Sequence, residues 1–405
     1  MVNNEVSPLK KVVVHRPDDG LQRVTPDKAL EFLYDDITYL PEMQKEHDIF
    51  TDTIRTVIGE DGVIETQDML LDILRNNAAA KAQLIQEVVE HETLAEEIEQ
   101  EIKYLSAKDL AYLMFNGVNP KNGAEFFAPL PNYVFTRDIG VVINDHLLIC
   151  QAATKARSRE NIISSCFFHH HKEFRSFWSE NKIIDITDEP DDITVEGGDV
   201  MVISPTHVLI GASERTTHKA IQRITELLFE KEVIDNVVTV EIPDERSYMH
   251  IDTVFTQISE TEFVAFNKLM MDDQKVKFTV HNKNGSIEIY KDLLEFLQSV
   301  IPEVVVIECG NGISPHDERE QWTDGCNLVT LRPGLAIAYA RNTFTADALQ
   351  DKGYTIMRAE TFLKLNKDGD LNVEDLGKFI FTIPSAELSR ARGGPHCMTF
   401  PVKRG

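Results

Sequence analysis

After residue 117 the chain repeats one pattern: an apolar run, a short polar turn, and a second apolar run. YVFTRDIGVVI turns at Asn144-Asp145 into HLLICQ, and GGDVMVI turns at Ser204-Pro205 into HVLIGAS. TVFTQI turns at 259–261 into EFVAFN, and NLVTL turns at Pro333-Gly334 into LAIAYA. Turn formers between β-rich runs specify two-strand ribbons. Helical stretches follow two of them, from about residue 217 to 230 and near Thr345. The first strands open near Tyr133, Gly198, Thr253 and Asn327, which are 65, 55 and 74 residues apart. That spacing suits a repeated supersecondary unit in an α/β protein.

The other segments read differently. KKVVV at 10–14 is a buried strand ended by Pro17, and 63–65 is a short returning strand. Between them a helical stretch is expected from about 26 to 58. Residues 304–307 and 355–357 read as single buried strands. From 67 to 117 no strand signal interrupts. Leu70, Leu71, Ile73, Leu74, Leu84, Ile85, Val88 and Val89 recur at helical spacing, with glutamates on the other face. The expected division is an α/β body over 1–66 and 118–405, with a helical insertion over 67–117.

Charge and cysteine use bound the function. There are 41 Lys and Arg against 67 Asp and Glu, a formal net charge of −26. A general nucleic-acid binder would carry a basic face instead. The excess suits a cationic small substrate, although solubility alone also explains it. No apolar run approaches the roughly 18–20 residues of a membrane helix, and MVNNEVSPLKK has no apolar signal core. The five cysteines (Cys150, Cys166, Cys309, Cys326, Cys397) are odd in number and form no CxxC. A reducing, cytoplasmic setting is the expectation.

Three ribbons open on acids: Asp138, then Glu196 and Asp199, then Asp252. Units arranged about an axis would bring these carboxylates into one pocket. Acids also flank strands simply because turns are polar. Gly393, Gly394 and Pro395 form a pliable loop before Cys397, and Arg390, Arg392 and His396 beside it favour a thiolate. A buried structural Cys is the commoner role of a lone Cys. If extended, His250-Ile251-Asp252 places on one face a His and an Asp that a metal could use, but no second cluster supplies partners. His169, His170 and His171 cannot easily converge on one ion. Residues 366–375 imitate a calcium loop without the glycine at its sixth position or the glutamate at its twelfth. A Cys, a His and several acids suggest nucleophilic catalysis on something cationic.

LKKVVVHRPDDGLQRVTP, FLYDDI, EHDIF, LPNYVFTRD, EGGDV, SERT, MHIDTVFT, EREQWTDGCN and RGGPHCM, in this order, resemble arginine deiminases of the guanidine-modifying superfamily. The resemblance runs over nearly the whole chain. It implies a five-bladed, pseudo-fivefold α/β propeller with a helical-bundle insertion, no cofactor and no metal. The implied reaction is hydrolysis of L-arginine to L-citrulline and ammonia through a covalent Cys thiouronium. The implied roles are Cys397 as nucleophile, His250 as general acid and base, Glu196 as its orienting partner, and Asp138 and Asp252 as holders of the guanidinium. Arg157 and Arg215 match binders of the substrate carboxylate. Asn132 and Phe135 match positions along the substrate's amino and aliphatic parts, and Asp199 and Arg392 match further pocket residues. A homo-oligomer, dimer or tetramer, is expected, with no nucleic-acid or membrane partner. The chain departs from the family pattern at Ala391 and Pro395, where glycine is usual, and at Ile139, where proline is.

The chemistry suits the set. Two carboxylates accept paired N–H donors from a planar guanidinium and fix its central carbon. Asp138, Asp252 and Glu196 oppose a thiolate while His250 and Arg392 favour one, so the cationic substrate is expected to assist deprotonation. An amidinotransferase of the same superfamily and a non-catalytic arginine-binding protein are the competing readings.

Overall fold

A computed structural model describes residues 1–405. It is a mixed α/β chain with five open sheets, and one three-strand unit recurs in all of them. Gly140–Ile143 runs antiparallel to His146–Ile149, which runs parallel to Ile183–Asp185. Val200–Ser204, His207–Ala212 and Asn236–Glu241 repeat that order. Phe255–Gln257, Glu262–Ala265 and Val305–Glu308 do so again, as do Val329–Arg332, Leu335–Tyr339 and Phe379–Ile383. The fifth unit joins distant parts of the chain: Phe400–Arg404 pairs antiparallel with Leu9–Val14, which runs parallel to Val63–Glu65. No sheet closes on itself.

The middle strands of four units are largely buried apolar runs, the usual demand of a parallel step, while Leu9–Val14 keeps Lys10 exposed. The crossover is commonly helical. Helix His218–Glu230 supplies one, opened by the Thr217 side chain, which accepts from the Ala220 N–H. Two sheets extend further. Thr355–Arg358 adds parallel to Phe379–Ile383. The hairpin Lys277–Asn282 and Ile287–Tyr290, which has no counterpart among the expected ribbons, adds beside Asn236–Glu241.

Residues 66–116 form four helices, Thr66–Asn76, Ala78–His91, Glu96–Lys103 and Ala107–Asn116. Asn77 and Ser106 cap the second and fourth, and Gly117 ends the last at φ 70°. Their apolar stripes join one core with Leu147, Ile149, Phe167 and Phe168, so these helices are packed onto the first sheet. No helix is long and apolar enough to cross a membrane.

Two expectations fail. The helix expected over 26–58 occupies only Leu40–Ile58. Before it, Leu33 sits at φ 66° and Leu30 is 80% exposed, so the leucine spacing there marks turns over the surface. Likewise the strand expected from Tyr133 starts only at Gly140, because Pro131–Val134 and Thr136–Ile139 are tight 3-10 turns. Such turns lead into the first strands of other units too: Gly197–Asp199 before Val200 and Ile251–Thr253 before Phe255. These three turns pack against one another in series, which brings segments far apart in sequence to one place.

Candidate active site

The packed turns line a cleft whose empty space, its solvent-filled mouth included, is about 450 Å³. Asn132, Phe135, Asp138, Arg157, Glu196, Arg215, His250, Arg392 and Cys397 form its wall. Asp199 and Asp252 lie behind that wall. Leu33, Arg246, Met249 and Thr253 also line it, and sequence reasoning missed them. The MHIDTVFT and FLYDDI motifs contained three of these four. Arg246 had no signal beyond being charged, and here it donates to the Leu33 carbonyl at 2.9 Å.

One side of the cleft is an ion-pair network. Nη1 of Arg157 lies 2.7 Å from Asp138 Oδ2 and 3.3 Å from Glu196 Oε2. Its Nε and Nη2 lie 3.0 and 2.8 Å from Glu160 Oε2. Glu196 Oε2 is also 2.9 Å from His250 Nε2, and Asp138 Oδ1 is 3.9 Å from His250 Nδ1. Burial would lower the affinity of His250 for its proton, but Asp138, Asp199 and Glu196 outweigh it and raise the pKa to about 10. Burial acts the other way on Glu196, and Arg157, His250 and Arg215 overcome it to hold that carboxyl well below the usual range. Glu160 is less fully compensated, and burial pushes it up to about 7 against the pull of Arg157.

Asp199 shapes this side without entering the cleft. Its Oδ2 accepts from Ser213 and Thr216 hydroxyls at 2.6 and 2.7 Å, and its Oδ1 from the Ile251 N–H at 3.0 Å. It therefore ties the loop carrying Arg215 to the turn carrying His250. Gly198 is required beside them, because a Cβ there would stand 2.6 Å from His250 Nδ1.

The other side carries the thiol. Cys397 Sγ lies 3.5 Å from Asp252 Oδ2, which also lies 2.8 Å from His396 Nδ1. Asp252 Oδ1 is buried without a hydrogen-bond partner. Asn327 fixes this corner: its Oδ1 accepts from the N–H groups of His396 and Cys397 at 3.0 and 3.1 Å, and its Nδ2 donates to the Asp252 carbonyl at 2.9 Å. Gly394 admits that contact, since a Cβ would stand 2.5 Å from Asn327 Oδ1. Burial raises the Cys397 thiol well above its ordinary pKa, and Asp252, Asp324 and Asp138 raise it further. His250 and Asp252, expected on one face of an extended segment, serve opposite sides instead, because Ile251–Thr253 is a turn.

Arg392, at φ 65°, stacks its guanidinium 3.3 Å over the Trp322 ring. Its Nη1 has no hydrogen-bond partner and lies 3.9 Å from Asp35 Oδ2. Glu46, in the helix Leu40–Ile58, accepts from the N–H groups of Ala386, Glu387 and Leu388 and so anchors the start of the Arg392 loop.

Asp138, Glu196 and His250 offer three ligand atoms within 4.8 Å of one another. They do not fit a metal in this state, because Arg157 occupies both acids and the protonated imidazole has no lone pair to give. Of the three histidines 169–171, the first and the last face different acids. His169 lies 3.9 Å from Asp185 and His171 lies 3.7 Å from Asp72.

The family model described as arginine deiminase matches residues 30–404. The chain is 33% identical to the arginine deiminase of Borrelia duttonii (strain Ly), over 100% of this chain and 97% of that one. It is 31% identical to the arginine deiminase of Mycoplasma capricolum, over 100% of this chain and 96% of that one. Among solved structures, it resembles the product-bound N-terminal domain of ArgZ, an arginine dihydrolase from Cyanobacteria (TM-score 0.51, 15% identity, 97% of each chain). It also resembles a dimethylarginine dimethylaminohydrolase from Pseudomonas aeruginosa complexed with citrulline (TM-score 0.52, 12% identity, 97% of this chain and 99% of that one). At such identities the structural likenesses speak for the fold alone.

Proposed function

The chain belongs to the arginine deiminase family, and from that premise we propose which of its residues carry the hydrolysis of L-arginine to L-citrulline and ammonia. The observation that carries the proposal is the Cys397 thiol 3.5 Å from Asp252, whose second oxygen is buried and unpartnered, in a cleft that His250 also lines. Asp252 and Asp138 hold the substrate guanidinium. Cys397 attacks its central carbon, His250 protonates the departing ammonia, and Glu196 keeps the imidazole oriented and charged.

The resting charges set the order of events. His250 is already protonated and cannot accept the thiol proton, so that proton passes to solvent water at the cleft mouth as the cationic substrate takes over the balancing of the carboxylates. The thiolate then adds to the guanidinium, and His250 gives its proton to the nitrogen that leaves as ammonia. The neutral imidazole next takes a proton from water as that water attacks the planar thiouronium. Collapse of the adduct releases citrulline and the sulfur.

Arg215 is the freer binder of the substrate carboxylate, since its nearest acids, Glu214 and Glu196, stand 3.7 and 3.9 Å away and its Nε has no hydrogen-bond partner. Arg157 takes part only after letting go of Asp138. Asn132, whose Nδ2 holds the Phe32 carbonyl at 2.8 Å, and Phe135 border the substrate's other end. Asp199 acts through the loops it ties, and Arg392 closes the site. The five recurring units are read as blades of a propeller around this cleft, which their meeting turns support. Cytoplasmic location and a homo-oligomeric state are proposed on the family resemblance, for fractionation and light scattering to test.

The test is incubation of the purified chain with L-arginine and water labelled with oxygen-18, read by mass spectrometry after acid quench. Citrulline carrying one label, ammonia, and a transient adduct on the peptide containing Cys397 are expected. An adduct on Cys150, Cys166, Cys309 or Cys326, or none with full turnover, overturns the assignment.

A further inference from the structure

Behind Asp252 a buried chain of side chains leads back to the fifth residue of the protein. His396 Nδ1 lies 2.8 Å from Asp252 Oδ2. On the other edge of the ring, His396 Nε2 lies 2.9 Å from Nη2 of Arg137. That same Nη2 lies 2.9 Å from Glu5 Oε1, which also accepts from the Val202 N–H at 3.3 Å. All four side chains are almost wholly buried, with Arg137 2% and Asp252 0% exposed. Glu5 Oε2 stands farther from His396 Nε2, at 3.4 Å, and has no hydrogen-bond partner, while burial opposes the ionised carboxyl and Arg137 and Arg404 hold it well below the usual range.

An arginine is always a donor, so its nitrogen 2.9 Å from His396 Nε2 requires a lone pair there. The ring proton is then on Nδ1, where it is donated to Asp252 Oδ2. Glu5 compensates the buried guanidinium and aims it. From this geometry we propose that Glu5, Arg137 and His396 are positioning residues that set the tautomer of His396 and hold the Asp252 carboxylate with Oδ2 engaged and Oδ1 free for the substrate. This rests on the reading of Asp252 as a guanidinium holder. The logic is that of other sites where a buried partner fixes which imidazole nitrogen carries the proton, and where the wrong tautomer is costly with the geometry intact. A clamp that only joined the N-terminal segment to the core would not require a particular tautomer.

The test uses the full-length protein. Nitrogen-15 NMR of the histidine-labelled enzyme at pH 7, with His396 assigned by difference from His396→Asn, reads the tautomer. Nδ1–H with an unprotonated Nε2 is expected in wild type, and a mixture in Glu5→Ala. A protonated Nε2 in wild type overturns the proposal. In kinetics, His396→Phe should lose about 100-fold or more in kcat/KM. His396→Asn, whose amide N–H stands where Nδ1 did, should return to within about tenfold of wild type. Glu5→Gln keeps an acceptor for Arg137 and should exceed Glu5→Ala. Equal values for the two His396 variants, or losses that merely follow their thermal midpoints, overturn the relay. If His396→Phe does not fold, the tautomer and the Glu5 pair decide. Asp252→Asn serves as the control. Full activity there means that the site reading has failed, whereas a strong loss there with active Glu5→Ala and His396→Phe means that only the relay has.

Discussion

The two sides of the cleft satisfy their charges in opposite ways. Around Arg157, three carboxylates and an imidazolium are paired at 2.7–3.3 Å, each through at least one atom, with Glu160 Oε1 and Arg215 Nε left over. Around Cys397, three charged side chains keep buried atoms without hydrogen-bond partners: Asp252 Oδ1, Asp324 Oδ2 and Arg392 Nη1. A buried charge without a partner is costly, so it persists where a ligand supplies the partner or where strain is part of the mechanism. On the proposed assignment, the paired side is preset for proton transfer and the other side awaits a cation.

The comparison breaks most completely at the sulfur. Cys397→Ala leaves every ion pair on the Arg157 side intact and removes the only group proposed to bond with substrate. Turnover should fall at least about 10³-fold, with a thermal midpoint near wild type. Ammonia release above a few per cent of wild type would remove Cys397 from the mechanism.

Arg157→Ala attacks the paired side. It leaves Asp138, Glu160 and Glu196 buried without their shared cation, and breaking such a network costs about 3–5 kcal/mol. Urea unfolding at pH 7.5 measures this. Destabilisation under about 1 kcal/mol would mean that the network behaves like a surface pair.

The thiol sharpens the contrast. Since burial and the neighbouring acids raise its pKa well above the ordinary value, iodoacetamide should label resting Cys397 slowly at pH 7.5 and faster as pH rises past 9. His250 holds its proton until pH approaches 10, so it cannot drive labelling at neutrality. Rapid, pH-independent labelling between pH 6 and 8, read by peptide mass, would refute a protonated resting thiol.

The smallest effect concerns Asp324, which burial pushes up to about 7 from 3.8. The folded state therefore holds this proton more tightly than the unfolded one. Its contribution is greatest below the unfolded value and is lost as pH rises through about 7. Asp324→Asn suits the residue's φ of 63° and removes that dependence. Relative to wild type the variant should gain stability at pH 8, on the order of 1 kcal/mol, and less at pH 5. Identical gains at both pH values would show that Asp324 does not titrate in this range.

Much of this was readable in the sequence because it is local. Each ribbon declares itself by its turn, and the Gly-Gly-Pro-His run marks the loop before Cys397. What was not readable depends on contacts across the chain. Glu5 looks like one polar residue in a featureless N-terminus, yet it meets Arg137 and His396. Asn327 appears as the opening of a strand, and only the fold shows its amide holding two N–H groups of the Cys397 turn. The overlong helix over 26–58 has the same origin. Asp35 and Asp36 are committed to Arg246 and Arg390, which no local pattern reveals.

The pairing of Leu9–Val14 with Phe400–Arg404 also has a consequence for how the molecule is made. During synthesis the first strand stays an open edge, with only Val63–Glu65 to pair with, until residue 404 has been added. At about 5–20 residues per second that wait is roughly 20–80 s. Non-local pairing of this kind is slow and exposes strand edges to aggregation. Because the same turn that precedes the last strand carries His396 and Cys397, no shorter nascent chain holds an assembled site. On the proposed assignment, the growing polypeptide is therefore catalytically silent until Leu9–Val14 and Phe400–Arg404 meet.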